Sequence, residues 1–549
     1  MNIDRVHRFS FFLLLFSFFF WDLRLVQENL IVEKNITSKI LSNIDIRFIY
    51  LLSIFPLFFF FKSFIREKLI TYKFIFISIL VFAILLLHQI YTSSEGLRLI
   101  EIAYSLIVLL SILILKVFGK NFLDNKILII KFVTFVSFLF YVFSLVIFDF
   151  LEIKNEYGEL LTWNRFSFEP CKSGFFNDYN FVFSESSHFG MVAISIFLTN
   201  FYYVIKTNFK DKSLLVCFIV FSFILFNNMS LTVIVGVALS QFAIIITNCN
   251  RKNIKYLISS FLMILVFFLI LLNFKGCKWK FKNALWLIKQ KVPILQLNLE
   301  IMSEKEKKEM INEYQGKKYN LKVNTKSENK FEKDFLLTKE TDLSSAVLAH
   351  NLRVVKQSLN FINSSEITDF DDANIIDGSS KKNVQEFLLN AKQGEVPAGK
   401  YYLGYPYDKV IIIEDNGTIN ELPGKNQAKL FGWGFNRYKD AFEHYTKFKI
   451  NKINHTYAIY VNNEDGSMNL TKLLVEFGIL NIFLLFFFIV FLFSSRISID
   501  DKIFLFPIVF VQSFLRGAGY FNGGFLIATI LIILIVLKSY DGKKSNKTL

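Results

Sequence analysis

Arg165, Arg353, Arg437 and Arg516, together with Glu185, His188 and Glu476, are the residues whose types and placement could do chemistry in this chain. A guanidinium holds phosphate oxygens through a forked pair of N–H groups and keeps its charge at any physiological pH. A carboxylate or an imidazole can take the proton from a hydroxyl as it becomes a nucleophile. The stretch NRFSFEPCKSGFFNDYNFVFSESSHFGM carries Arg165, Glu169, Glu185 and His188, and Gly190 permits a close approach just behind them. Such a set suits transfer of a group carried on a lipid diphosphate, although salt bridges within a loop would use the same residue types. Glu476 lies almost two turns inside an apolar run, where an ionisable side chain is expensive and usually faces a cavity or a partner.

The elements that must position these residues are apolar helices. With 53% hydrophobic residues, 68 Phe and a mean hydropathy of +0.42, the 549-residue chain has more apolar surface than one soluble core could hide. Apolar runs at 9–22, 46–62, 74–90, 102–118, 127–148, 187–205, 213–228, 230–247, 256–274, 470–493, 502–515 and 520–537 are near the roughly 20 residues a helix needs to cross a bilayer. The fold expected is an all-α polytopic membrane protein of about twelve transmembrane helices with one large external, mainly helical loop domain. Residues 1–274 hold about nine spans, 275–466 the loop domain and 467–549 about three spans.

Orientation follows from cations in the short turns. Arg5 and Arg8 precede the first run, and alternate turns carry Lys62, Arg66 and Lys68, then Lys116, Lys120 and Lys126, then Lys206, Lys210 and Lys212, then Arg251, Lys252 and Lys255. The turn 149–186, on the other side, is acidic, with Asp149, Glu152, Glu156, Glu159, Glu169, Asp178 and Glu185. Both termini are therefore expected in the cytoplasm and the long loop outside; 494–501 says nothing, because Arg496 is offset by Asp500 and Asp501. This topogenic use of Lys and Arg accounts for the net charge of +16 without nucleic acid. Asp22, Arg24, His88, Arg98, Glu101, Glu185, His188, Glu476, Gln512 and Arg516 all fall at or near external ends. Each could equally be an interfacial residue reaching for water.

The run Phe11–Phe20 lacks a small-residue cleavage site and is read as the first span rather than a signal peptide. Cys171, Cys217, Cys249 and Cys277 have no metal-ligand spacing; Cys171 and Cys277 fall on the same side, which leaves both a disulfide and two thiols open. The loop shows helical patterning at 279–292 and 343–362, a polar patch at 313–333 expected to be disordered, and an aromatic, β-branched stretch Lys400–Glu414 followed by the turn pair Asn416-Gly417, which predicts a hairpin. Asp369 and Asp371 form a DxD, a pattern some nucleotide-sugar transferases use for a divalent cation, but it arises readily by chance. G-x-S-x-G, HExxH, P-loop and Rossmann glycine patterns are absent.

Four local patterns occur in order. They are ESSHFG at Glu185–Gly190; DLSSAVLAHNLRVVKQSL, with Ser345 upstream of Arg353; LFGWGFNRYKDAF, with Phe431, Gly432, Gly434, Phe435 and Tyr438; and NLTKLLVEFGILNIF, with Asn469, Glu476 and Gly478. Together with the span layout they resemble the O-antigen polymerase and O-antigen ligase family, membrane glycosyltransferases that use polyprenyl-diphosphate-linked glycans. They are similar, respectively, to the family's E-P-S-H element at a span start, its loop helix with one arginine, its G-x-G-aromatic turn, and its H-N pair with a later E-x-G. Ser186 stands where the family's proline would be and Met468 where ligases place histidine.

The resemblance implies attack of an acceptor sugar hydroxyl on the anomeric carbon of the lipid-linked glycan. Arg165, Arg353, Arg437 and Arg516 would hold the diphosphate, and Glu185, His188 and Glu476 would be the candidate bases. No cofactor and no metal is called for, since arginines can neutralise a diphosphate. The partners implied are the polyprenyl-diphosphate glycan and membrane lipid, with a flippase or chain-length regulator beside them, in a bacterial inner (plasma) membrane. A ligase and, from another class, a polysaccharide or lipid transporter are the alternatives; charge gathered at external ends rather than along a midplane path disfavours transport.

Overall fold

The computed structural model describes residues 3–20, 65, 70–92, 97–145, 186–248, 254–273, 373–376, 381–403, 409–421, 428–441, 468–517 and 519–545. Among the described residues eight helices come first: α1 (Ile3–Phe19), α2 (Tyr72–Thr92), α3 (Leu99–Asp124), α4 (Lys126–Leu145), α5 (Ser186–Lys206), α6 (Lys212–Asn227), α7 (Leu231–Thr247) and α8 (Ile254–Asn273). A small α/β segment follows, with β1 (Asn374–Ile376), α9 (Lys381–Lys392), β2 (Gly399–Leu403), β3 (Lys409–Ile413) and β4 (Ile419–Glu421). The short α10 (Ala428–Phe431) precedes α11 (Asn469–Phe477), a 3₁₀ turn Gly478–Leu480, α12 (Asn481–Phe493), α13 (Ile499–Phe514) and α14 (Phe525–Ser545).

The chain is a multi-pass membrane protein. Among the described residues six helical stretches are long and apolar enough to cross a membrane: Tyr72–Thr92, Leu99–Asp124, Lys126–Phe143, His188–Lys206, Ile254–Asn273 and Asn469–Phe493. Four shorter apolar helices, Phe9–Phe19, Lys212–Asn227, Leu231–Thr247 and Phe525–Ser539, accompany them. The predicted span 46–62 lies outside the described residues, as do the loop helices expected at 279–292 and 343–362, the patch 313–333, the DxD, and Cys171, Cys249 and Cys277. Cys217 is a half-buried free thiol on α6.

Two compact units make up the protein, one of Met1–Ala83, Ser105–Phe281 and Phe483–Leu549, the other of Ile84–Tyr104 and Lys282–Ile482. In the first, α5 is the most buried of the described spans, packed against α6, α7 and α13. Lipid is as apolar as leucine, so close backbone approach rather than the hydrophobic effect must hold such helices together. Small residues allow it: a Cβ on Gly236 of α7 would lie 2.6 Å from Ile194 of α5 and 3.0 Å from Val511 of α13, and one on Gly190 would lie 2.6 Å from Val233. Ser195 Oγ also donates to the Phe504 carbonyl at 2.5 Å. The phenylalanine-rich α1 packs ring against ring, Phe11 edge-on to Phe122 and Phe12 tilted against Phe132.

The acids that silence the 494–501 turn as a topology signal have a structural use. Lys126 Nζ, at the start of α4, meets Asp501 Oδ1 at 2.5 Å and Asp500 Oδ2 at 3.2 Å, and the Tyr203 hydroxyl donates to Asp500 at 3.2 Å. Both aspartates occupy the first turn of α13, where the helix dipole favours negative charge. Burial pushes the Asp500 carboxyl up, but the Lys126 ammonium and its hydrogen bonds more than offset this and hold it below the ordinary aspartate value.

The second unit contains a sheet of order β1-β2-β3-β4, with β1 parallel to β2 across the α9 connection and the other pairs antiparallel. Val384 and Ala391 of α9 pack on Tyr401, Leu403, Ile411 and Ile413, alternate residues of β2 and β3 that share one face. The hairpin predicted at Lys400–Glu414 is β2–β3, and Asn416-Gly417 turns β3 into β4; β1 and α9 add to it a small α/β segment within a loop domain expected to be mainly helical. The predicted span 470–493 is also not one uninterrupted helix: Gly478, with φ +56°, ends α11, and a 3₁₀ turn intervenes before α12.

Replacing Gly236 with Ala should lower the thermal midpoint of the detergent-solubilised protein, consistent with an overpacking cost of about 1–3 kcal/mol. An unchanged midpoint would mean that α5, α7 and α13 do not meet at this glycine.

Candidate functional site

The break at Gly478 withdraws two α11 carbonyls from the helical ladder. In an intact helix the carbonyls of Val475 and Glu476 would accept from amides four residues on. Here Trp433 N donates to Val475 O at 2.8 Å and Gly434 N to Glu476 O at 3.1 Å. This pairing brings the segment after α10 against the break, backbone to backbone. A Cβ at Gly478 would lie 2.7 Å from Gly432 N, and one at Gly432 would strike the backbone of Glu476 and Phe477.

Phe431–Tyr438 is thus a turn held by membrane-helix side chains. Gly432, Gly434 and Asn436 have φ of +75°, +107° and +63°, a tight curl that aims successive amides and carbonyls outward. The Glu476 carboxylate, fully buried, accepts from Asn436 N at 2.8 Å through Oε2 and from Tyr438 N at 3.2 Å through Oε1, with Lys472 Nζ 3.9 Å away. From the end of α2, His88 Nε2 lies 2.6 Å from the Phe431 carbonyl, and Gln89 Nε2 donates to the Phe435 carbonyl. The His88 ring stacks on Phe477, centroids 5.0 Å apart at 16°. Gly434 has no alternative residue: a Cβ there would lie 2.7 Å from Thr92 Oγ1 and 2.8 Å from Gln89 Oε1.

Beside the turn lies an ionic quartet. Arg437, 3% exposed, donates through Nε to Glu101 Oε1 at 2.7 Å. Arg98 donates to the same oxygen at 2.9 Å and grips Asp440 with both terminal nitrogens. Glu101 is the third residue of α3, and its Oε2 accepts the Arg98 amide at 3.2 Å, so it also caps the helix at its positive end. Burial works against charge on Arg98, but hydrogen bonds and attraction from Asp440 and Glu101 outweigh it and raise its pKa further. Burying the Arg437–Glu101 pair costs several kcal/mol per ion, so the pair is better seen as holding a geometry than as a source of stability.

Of the residues nominated from sequence, Glu476 and Arg437 come together at this turn. The Glu476 carboxylate, offered as a base, accepts two backbone amides and serves there as an anchor for the glycine turn; Arg437 is buried against Glu101 rather than displayed. His188, in the first turn of α5, and Arg516, just beyond α13, are half-buried and belong to the other unit. Arg165, Arg353 and Glu185 lie outside the described residues. His88, Gln89, Arg98, Glu101 and Asp440 had no assigned role, and the signal for three of them was there: His88, Arg98 and Glu101 are polar residues at the predicted external ends of apolar runs. Among the described residues no group of three or more His, Cys, Asp or Glu is placed to hold a metal ion. No protein-family model, curated protein or solved structure matches the chain.

Glu101→Leu leaves Arg437 buried beside one fewer acid and should cost about 3–5 kcal/mol, whereas adding Arg437→Met should recover much of that loss. Thermal unfolding of the two single variants and the double variant measures the coupling. Additive losses would mean that the two side chains do not share a buried pair.

Proposed function

We propose that the protein is a membrane glycosyltransferase that extends glycans carried on polyprenyl diphosphate, acting on the external face of a bacterial plasma membrane and resembling O-antigen polymerases. In this reading the chain has about twelve spans, both termini in the cytoplasm and 275–466 outside. The observation that supports it is the pairing of two segments singled out separately by resemblance: the glycine turn Phe431–Tyr438 and the Glu476–Gly478 break are hydrogen-bonded to each other. A turn tied so tightly to a membrane helix would keep the loop at the lipid boundary, where a lipid-linked donor presents its diphosphate.

The acceptor sugar hydroxyl attacks the anomeric carbon, the bond from that carbon to the diphosphate oxygen breaks, and the lipid diphosphate leaves with the electron pair. Arginines meet the charge developing on the leaving group. Arg165, Arg353 and Arg516 are the cations proposed for that contact, with Arg437 behind them. The reaction needs no metal on this account, because guanidinium groups supply the positive charge. A base must take the hydroxyl proton, a role for which sequence offers Glu185, His188 and Glu476, the last of them engaged by two backbone amides.

Deleting the gene should reduce the surface glycan from a ladder of lengths to single repeat units, and wild-type protein should restore the ladder. Arg353→Ala should accumulate in the membrane and fail to restore it. Electrophoresis of extracted glycan reads both outcomes. A ladder unaffected by deletion overturns the reading, and loss of glycan attachment without loss of length would identify a ligase.

A further inference from the structure

His88 occupies a position that neither the resemblance nor the sequence patterns assign. Its Nε2 sits 2.6 Å from the Phe431 carbonyl, an acceptor that cannot donate, so this nitrogen carries the hydrogen. A neutral ring then keeps its lone pair on Nδ1. That atom is buried and has no hydrogen-bond partner among the described residues, and the same is true of Oε1 of the adjacent Gln89. Stacking on Phe477 fixes the ring plane, and the Thr92 hydroxyl, donating to the His88 carbonyl at 2.7 Å, ties down the helix end behind it.

Two acceptors on one turn, both lacking donors, call for a ligand rich in hydroxyl groups. Leaving a buried acceptor without a donor is costly, and a hydroxyl recovers that cost on binding. A backbone carbonyl that fixes one imidazole nitrogen as donor and leaves the other as lone pair is the arrangement of a base. The charged groups about the turn are already matched: Glu476 by two amides and Lys472, Glu101 and Asp440 by Arg98 and Arg437.

We infer that His88 is a catalytic residue whose Nδ1 receives the hydroxyl of the acceptor sugar and takes its proton as that oxygen bonds to the anomeric carbon. The proton ends on Nδ1 and the electron pair of the broken bond leaves with the lipid diphosphate. The assignment of the proton transfer rests on the glycosyltransferase reading; the hydroxyl site does not.

His88→Gln separates the roles, because a glutamine amide can still donate to the Phe431 carbonyl but has no basic nitrogen. In membranes supplied with lipid-linked repeat units, the variant should extend chains about 100- to 10,000-fold more slowly, with KM little changed. It should also lose the fall in rate that wild type shows as the imidazole protonates at low pH. Extension at the wild-type rate, or a variant retaining that fall, overturns the proposal. Independently, ¹⁵N-histidine spectra of the full chain in lipid nanodiscs, assigned by the signal missing in His88→Gln, should show an unprotonated Nδ1. Its resonance should move when repeat-unit oligosaccharide, released by mild acid from the lipid-linked pool, is added. A protonated Nδ1, or one indifferent to the sugar, refutes the hydroxyl site. A wild type that never extends chains but shows the shift refutes the glycosyltransferase reading and the proton transfer while upholding the site.

Discussion

A backbone carbonyl surrounded by apolar groups must find a donor, and the interruption at Gly478 leaves two such carbonyls, on Val475 and Glu476, without one from their own helix. The amides of Trp433 and Gly434 meet that demand, and the shape of the turn Phe431–Tyr438 follows from it. To bring amides that close, the approaching chain must lack side chains at Gly432 and Gly434. To curl there, its remaining polar groups must be satisfied in turn, by His88, Gln89 and the Glu476 carboxylate. One acid therefore serves the joint twice, through its carbonyl and through its side chain.

The two units solve the problem of holding helices together by different means. In the first, glycine and serine let α5, α7 and α13 approach until their side chains interlock, and polar pairing is concentrated where Lys126 meets the first turn of α13. In the second, directional bonds dominate, and an α/β module with its own small core occupies part of the interval between Arg353 and the glycine turn. Contacts of the first kind tolerate sliding by fractions of an ångström. Those of the second do not, so the turn is held in one geometry.

The helices were legible because length and apolarity alone determine what can cross a bilayer, and the predicted spans within the described residues coincide with helix, 470–493 with two helices and the 3₁₀ turn between them. Glu476 stood out for its depth in an apolar run. The interruption two residues later was harder to see: glycine is common enough in membrane helices that Gly478 carries no unambiguous sign of a stop. The strands of the α/β module were visible only at Lys400–Glu414, where β-branched and aromatic residues cluster; β1 is three residues long and depends on its neighbours. Partners of His88 and Glu101 could not be found by any local rule, since they lie 343 and 336 residues away.

That distance matters during biosynthesis. Glu101 emerges from the ribosome and reaches the membrane long before Arg437 has been translated, and a lone carboxylate there would resist insertion. Arg98, only three residues earlier, makes its own contact with Glu101 and can neutralise it from the outset. Asp440, arriving with Arg437, then balances the cation that would otherwise be in excess. The quartet can thus be assembled as two neutral pairs, Arg98 with Glu101 and then Arg437 with Asp440.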